Sequence, residues 1–89
     1  MQQIDKLNEV TLKVILYLHD NKEAKLTTIM KGIPVGQKAL YTALATLTQL
    51  QIIEEKTSKE FPFTRNFTLT QKGRETAKHL AEIEKILTK

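Results

Sequence analysis

Not one cysteine occurs in the 89 residues, and tryptophan is missing as well. Without thiols there is no disulfide, no thiolate nucleophile and no thiolate zinc site, so packing alone must hold the fold, in keeping with a reducing compartment. Aromatic content is low, two tyrosines and three phenylalanines, and 40% apolar residues suffice for one modest core rather than a deep catalytic cleft. This argues against an enzyme. Three glycines and two prolines form no linker, and no low-complexity tract or repeat occurs, so a single domain over 1–89 is expected. No apolar run approaches the roughly 18 residues that a bilayer span requires. The start, MQQIDKLNEV, lacks the basic-then-apolar order of a secretory signal, and a cytoplasmic protein without membrane contact is expected.

The most informative absence is one of charge. From Ala24 to Ile53 the chain runs thirty residues without an Asp or Glu, although acids are frequent on both sides. The formal net charge is +4, divided as −1 over residues 1–23, +3 over 24–53, +2 over 54–74 and 0 over 75–89. The excess sits in the middle, which favours an anionic partner there. Inside the window lies a helix-like stretch, GQKALYTALATLTQL, flanked by Lys31 and containing Lys38. Helices normally carry acids in the first turn to complement the macrodipole, so their absence leaves a positive end for another anion. A phosphate-bearing polymer is the expected partner.

Periodicity orders the elements. Ile4, Leu7, Val10, Val14, Ile15 and Leu18 follow helical spacing and predict a first helix over Gln2 to His19, broken by Asp20-Asn21-Lys22. Ala24-Lys25-Leu26 reads as a short extended link, after which Thr27 or Thr28 can cap a brief helix over Thr28 to Lys31, ended by Gly32. Pro34 pushes Ile33 out of the helical region, so Ile33-Pro34-Val35 is a connection. A third helix spans Gly36 to Leu50. Leu40, Leu44 and Leu47 face the core, which turns Gln37, Lys38, Tyr41, Thr42 and Ala45 outward. Two strand-like runs follow, Ile52 to Lys56 and Thr64 to Leu69, joined by Thr57 to Phe63. A last helix runs from Gln71 to Leu87. The fold class is mainly α (α+β): a winged helix-turn-helix with a three-helix core, a β-hairpin wing and a C-terminal helix.

Two motifs carry a resemblance. The stretch IPVGQKALYTALATLTQLQIIEE (33–55) resembles the recognition helix and first wing strand of winged-helix regulators, and FTLTQKGRETA (67–77) resembles the wing end and last-helix start of MarR- and PadR-like transcription regulators, especially small archaeal members. The resemblance covers residues 8–80. In that signature Phe67 and Leu69 can face the core from one strand, Thr70 can cap the last helix, and Gly73 lets the helix start sit close to the sheet or to bound DNA. Gln51 departs from the pattern, standing where these proteins often carry Gly. Either it takes a left-handed conformation at about 1 kcal/mol, or the turn has another form.

The resemblance implies a sequence-specific regulator of double-stranded DNA, with the third helix in the major groove and the hairpin in the minor groove. Gln37 can pair with adenine, Lys38 can reach guanine or a phosphate, and Tyr41 and Thr42 can bond phosphate or touch a thymine methyl. On the wing, Lys56, Lys59 and Arg65 are candidates, Arg65 above all because the run PFTR resembles the proline-and-arginine wing of the relatives. A different role for Arg65 is pairing with Glu54, Glu55 or Glu60 across the hairpin. Phe61 and Phe63 are expected to pack at the wing root.

The last helix carries a stripe, Thr76, Leu80, Ile83 and Leu87, broadened by Ala77, Ala81 and Ile86. A homodimer using Ile4, Leu7, Leu80, Ile83 and Leu87 is expected, which places two recognition helices about 34 Å apart on a palindromic site. His19 and His79 lack any ligand spacing and read as helix residues, so no metal, cofactor or small-molecule ligand is expected. Two other functions remain open: an architectural DNA binder of low sequence specificity, and a winged helix used as a protein-interaction module.

Overall fold

The computed structural model describes residues 3–57, 59 and 64–89. Its first full helix begins later than the apolar spacing predicts. Asn8 accepts a hydrogen bond from the Thr11 amide at 3.0 Å while the Asn8 amide donates to the Thr11 hydroxyl at 2.7 Å, a reciprocal cap that starts α1 at Glu9. Ile4 and Leu7 therefore lie outside α1, Ile4 on a separate 3-10 turn, Ile4–Lys6. Helix α1 (Glu9–Asn21) buries Thr11, Val14, Ile15 and Leu18.

The segment expected to be a mere link is a strand, β1 (Glu23–Lys25), paired antiparallel with the second wing strand. Its three residues were too short to carry a period, and the partner that makes them a strand lies over forty residues away. Helix α2 (Leu26–Gly32) starts directly from it with Lys25 as cap residue and no side-chain cap, so Thr27 and Thr28 do not play that part. Gly32 remains in the right-handed region and does not end α2 by a left-handed turn. A Cβ there would stand 2.5 Å from the Tyr17 ring, so the glycine makes room for α1 to approach α2.

Ile33, buried, and Val35, half-buried, anchor the connection to α3 (Gln37–Gln49). Leu40, Leu44 and Leu47 enter the core as their spacing predicts, joined by Ala43. Two backbone hydrogen bonds close the end of α3, from Ile52 to the Leu47 carbonyl at 2.9 Å and from Gln51 to the Thr48 carbonyl at 3.0 Å. This is a Schellman turn, and Gln51 takes the left-handed position with φ 64°.

Strands β2 (Ile53–Thr57) and β3 (Arg65–Leu69) form the hairpin, and the sheet order is β1-β3-β2. Ile53 pairs with Leu69 and Glu55 with Phe67, so Ile53, Leu69 and Phe67 share the face that closes the core. Thr70 then caps α4 (Gln71–Thr88), its hydroxyl accepting from the Gly73 amide at 3.0 Å and donating to the Gln51 carbonyl at 2.6 Å. A Cβ on Gly73 would lie 1.9 Å from the Ile52 carbonyl oxygen. The helix start thus sits against the residue that leads into β2, beside the sheet. Helix α4 packs on α1 through Ala77, with Leu80 half-buried, but its final turns leave the body: Ile83, Ile86 and Leu87 are 50%, 68% and 76% exposed. None of the helices among the described residues is long and apolar enough to cross a membrane.

Candidate nucleic-acid interface

Helix α3 begins at Gly36, which offers no side-chain cap, and no acid stands in the first turn. The amides of that turn thus keep their partial positive charge without a neighbouring carboxylate to offset it. Gln37, Lys38, Tyr41 and Thr42 are all exposed and lie on one side of α3, opposite the buried leucines. Two of them already interact: the Gln37 amide nitrogen donates to the Tyr41 hydroxyl at 2.9 Å. That bond ties a long, mobile amide to an aromatic ring one turn away and lowers the entropy lost when the pair meets a surface.

From Tyr41 the same face continues along α3 to Ala45, Thr48 and Gln49, which line one side of a groove of about 470 Å³. Glu55, Arg65 and Phe67 of the hairpin form the opposite side. Arg65 is engaged there. Its Nε donates to one Glu55 carboxylate oxygen at 2.5 Å and Nη2 to the other at 3.1 Å, while Cζ lies 5.5 Å from the centre of the Phe67 ring. The Arg65 hydrogen bonds hold the Glu55 carboxyl below the usual carboxylate range, with burial working against them. The same hydrogen bonds raise the Arg65 guanidinium above its ordinary value.

This arrangement, a short helix, a tight connection, an exposed second helix and a flanking hairpin, is shared by known proteins. The model of the HxlR-like helix-turn-helix family matches residues 9–89. The chain belongs to this family. Its members are DNA-binding transcriptional regulators. Among solved structures, a protein of the MarR family of transcriptional regulators from Porphyromonas gingivalis W83 superposes with a TM-score of 0.83 at 23% identity, over 100% of this chain and 85% of the other. A transcriptional regulator homologue from Pyrococcus horikoshii OT3 gives 0.79 at 17% identity, over 99% and 95%. Diamide-treated YodB from B. subtilis gives 0.71 at 27% identity, over 81% and 72%. No curated protein sequence matches the chain significantly.

In this HxlR-like chain the wing candidates of the sequence do not form one cluster. Lys56 pairs with Asn66 and Thr57 with Arg65, so the pleat sends Lys56 and Arg65 to opposite faces of the sheet. Lys59 is exposed beyond the end of β2. The cross-hairpin ion pair weighed for Arg65 is present, with Glu55 as partner. Glu60, Phe61 and Phe63 lie outside the described residues. Sequence reasoning missed Thr48 and Gln49, although Thr48 stands seven residues after Tyr41 and so on the same helical face. It also missed Glu55 as part of the groove, because which acid reaches Arg65 depends on register. His19 is exposed, and His79 Nδ1 lies 4.0 Å from Glu82. No group of three or more potential metal-ligating side chains occurs among the described residues.

Proposed function

We propose that this HxlR-like regulator works in the cytoplasm as a homodimer that reads a specific duplex sequence, with α3 in the major groove and the hairpin along the adjacent minor groove. The observation that carries the reading is the exposed, acid-free face of α3, headed by an uncapped N-terminus. Gln37, held by Tyr41, reads adenine; Lys38 takes guanine or phosphate; Tyr41 and Thr42 meet phosphate or a thymine methyl. Lys56, Lys59 and Arg65 serve the wing. Ile4 and the protruding turn of α4 with Ile83 and Leu87 join two copies, helped by the half-buried Leu7 and Leu80.

Selection of duplexes from a random pool tests the reading. Enrichment of a palindromic site is expected, and its half-sites should be spaced about one helical turn apart. Binding should weaken steeply with salt, because each phosphate contact releases counterions. Gln37→Ala should relax preference at one base position by roughly 1–3 kcal/mol of discrimination, leaving the salt slope unchanged. A pool that returns no consensus while binding stays salt-dependent would leave a low-specificity architectural binder. Binding without salt dependence would remove the DNA reading altogether.

A further inference from the structure

The arginine of the wing is occupied by a carboxylate of the same molecule. Arg65 presents two guanidinium nitrogens to the two oxygens of Glu55 at 2.5 and 3.1 Å. That planar fork fits two phosphate oxygens equally well. Phe67, 1% exposed and opposite Glu55 in the ladder, supplies a fixed ring beneath the guanidinium, so Arg65 keeps its place whichever anion it holds. The pair borders the groove shared with Tyr41, Ala45, Thr48 and Gln49, and Glu55 is the one acid among the described residues lining it. On the side of α3, the lining is neutral. Glu55 therefore puts negative charge where the rest of the surface is prepared for a polyanion.

We infer that Glu55 limits affinity: it occupies Arg65 as an internal substitute for a DNA phosphate, and duplex binding exchanges the carboxylate for a phosphate on the same guanidinium. This rests on the reading above that α3 and the wing meet DNA. With side-chain exposures of 49% and 28%, the pair is solvent-accessible and of the kind that changes an equilibrium by no more than about fivefold, so exchange is easy. In the complex the displaced carboxylate stays beside the phosphate backbone and repels it. Since phosphate contacts carry no sequence information, Glu55 keeps the sequence-independent part of binding weak. Such attenuation suits a protein that must leave non-specific sites to find its own.

The test uses the full chain, fluorescence anisotropy and a duplex of arbitrary sequence about three helical turns long. Glu55→Gln should tighten binding, by up to about fivefold. Arg65→Ala should weaken binding, and adding Glu55→Gln to that variant should recover less than half of the fold-gain seen with Arg65 present. Unchanged or weaker binding by Glu55→Gln would overturn the exchange and make Glu55 a support that positions Arg65. An equal gain with and without Arg65 would overturn it too, reducing Glu55 to general repulsion. If neither the wild type nor any variant bound duplex, the DNA reading itself would fall.

Discussion

At the scale of single residues, the FTLTQKG signature has a physical account at four of its seven positions. Phe67 and Leu69 are buried, Thr70 caps α4 and bonds to the Gln51 carbonyl, and Gly73 passes against the Ile52 carbonyl. With a hypothetical Cβ only 1.9 Å from that oxygen, Gly73→Ala must push α4 off the sheet, and a loss of about 1–3 kcal/mol is expected in urea unfolding. Gln51 is the opposite case. Its φ of 64° is a conformation that glycine adopts without strain, so Gln51→Gly should stabilise the protein by about 0.5–1 kcal/mol, the relief exceeding the added freedom of the unfolded chain. Glu55 adds a pH dependence. Its carboxyl is held low by hydrogen bonds from Arg65, so the stability it contributes is present above the ordinary carboxylate pKa and is lost as pH falls through its lowered value. Glu55→Gln should flatten the acid limb of the stability curve, and a limb identical to wild type would show that the pair contributes nothing to folding.

At the scale of elements, boundaries were less legible than existence. Helix α3 was readable to within a residue at each end, since Gly36 and the three leucines mark both its start and its buried face. The start of α1 was not, because Ile4 and Leu7 continue the apolar spacing past a reciprocal Asn8–Thr11 cap that stops the helix. Asn8→Ala removes that cap and should cost about 1 kcal/mol, with loss of helical signal confined to α1. Strand β1 was unreadable for a deeper reason. Its three residues have no pattern of their own and become a strand by pairing with Asn66 to Thr68. Gly32 does stand at the end of α2, but it makes no left-handed turn there; the Tyr17 ring occupies the space a side chain would take.

At the scale of the whole molecule, α4 draws the shape out to 44 × 27 × 24 Å, and its last turns carry Ile83, Ile86 and Leu87 into solvent. Ile4, 62% exposed at the other end of the chain, adds a further apolar side chain in need of cover. In the proposed dimer, replacing both Ile83 and Leu87 with Asp should give a monomer by light scattering at micromolar concentration while leaving thermal unfolding of the core within a few degrees of wild type. An unchanged dimer mass would place the interface elsewhere, and a wild-type mass of one chain at all concentrations would remove the dimer. Two recognition helices held together also make affinity for a palindrome far exceed that of one half-site, through effective concentration rather than new contacts.

The sequence by itself determined the order of helices, the hairpin, the buried leucines of α3 and the uncharged or cationic face opposite them. Those features depend on spacing along one helix or strand, and spacing is written in the chain. Only the tertiary structure decided that Ala24 stands in a strand, that Gly73 serves the sheet, and that Arg65 is held by Glu55 and turned away from Lys56. Each of these depends on strand register and on the approach of distant backbone, and a shift of one residue in pairing would reverse every such side chain without altering the pattern of the sequence.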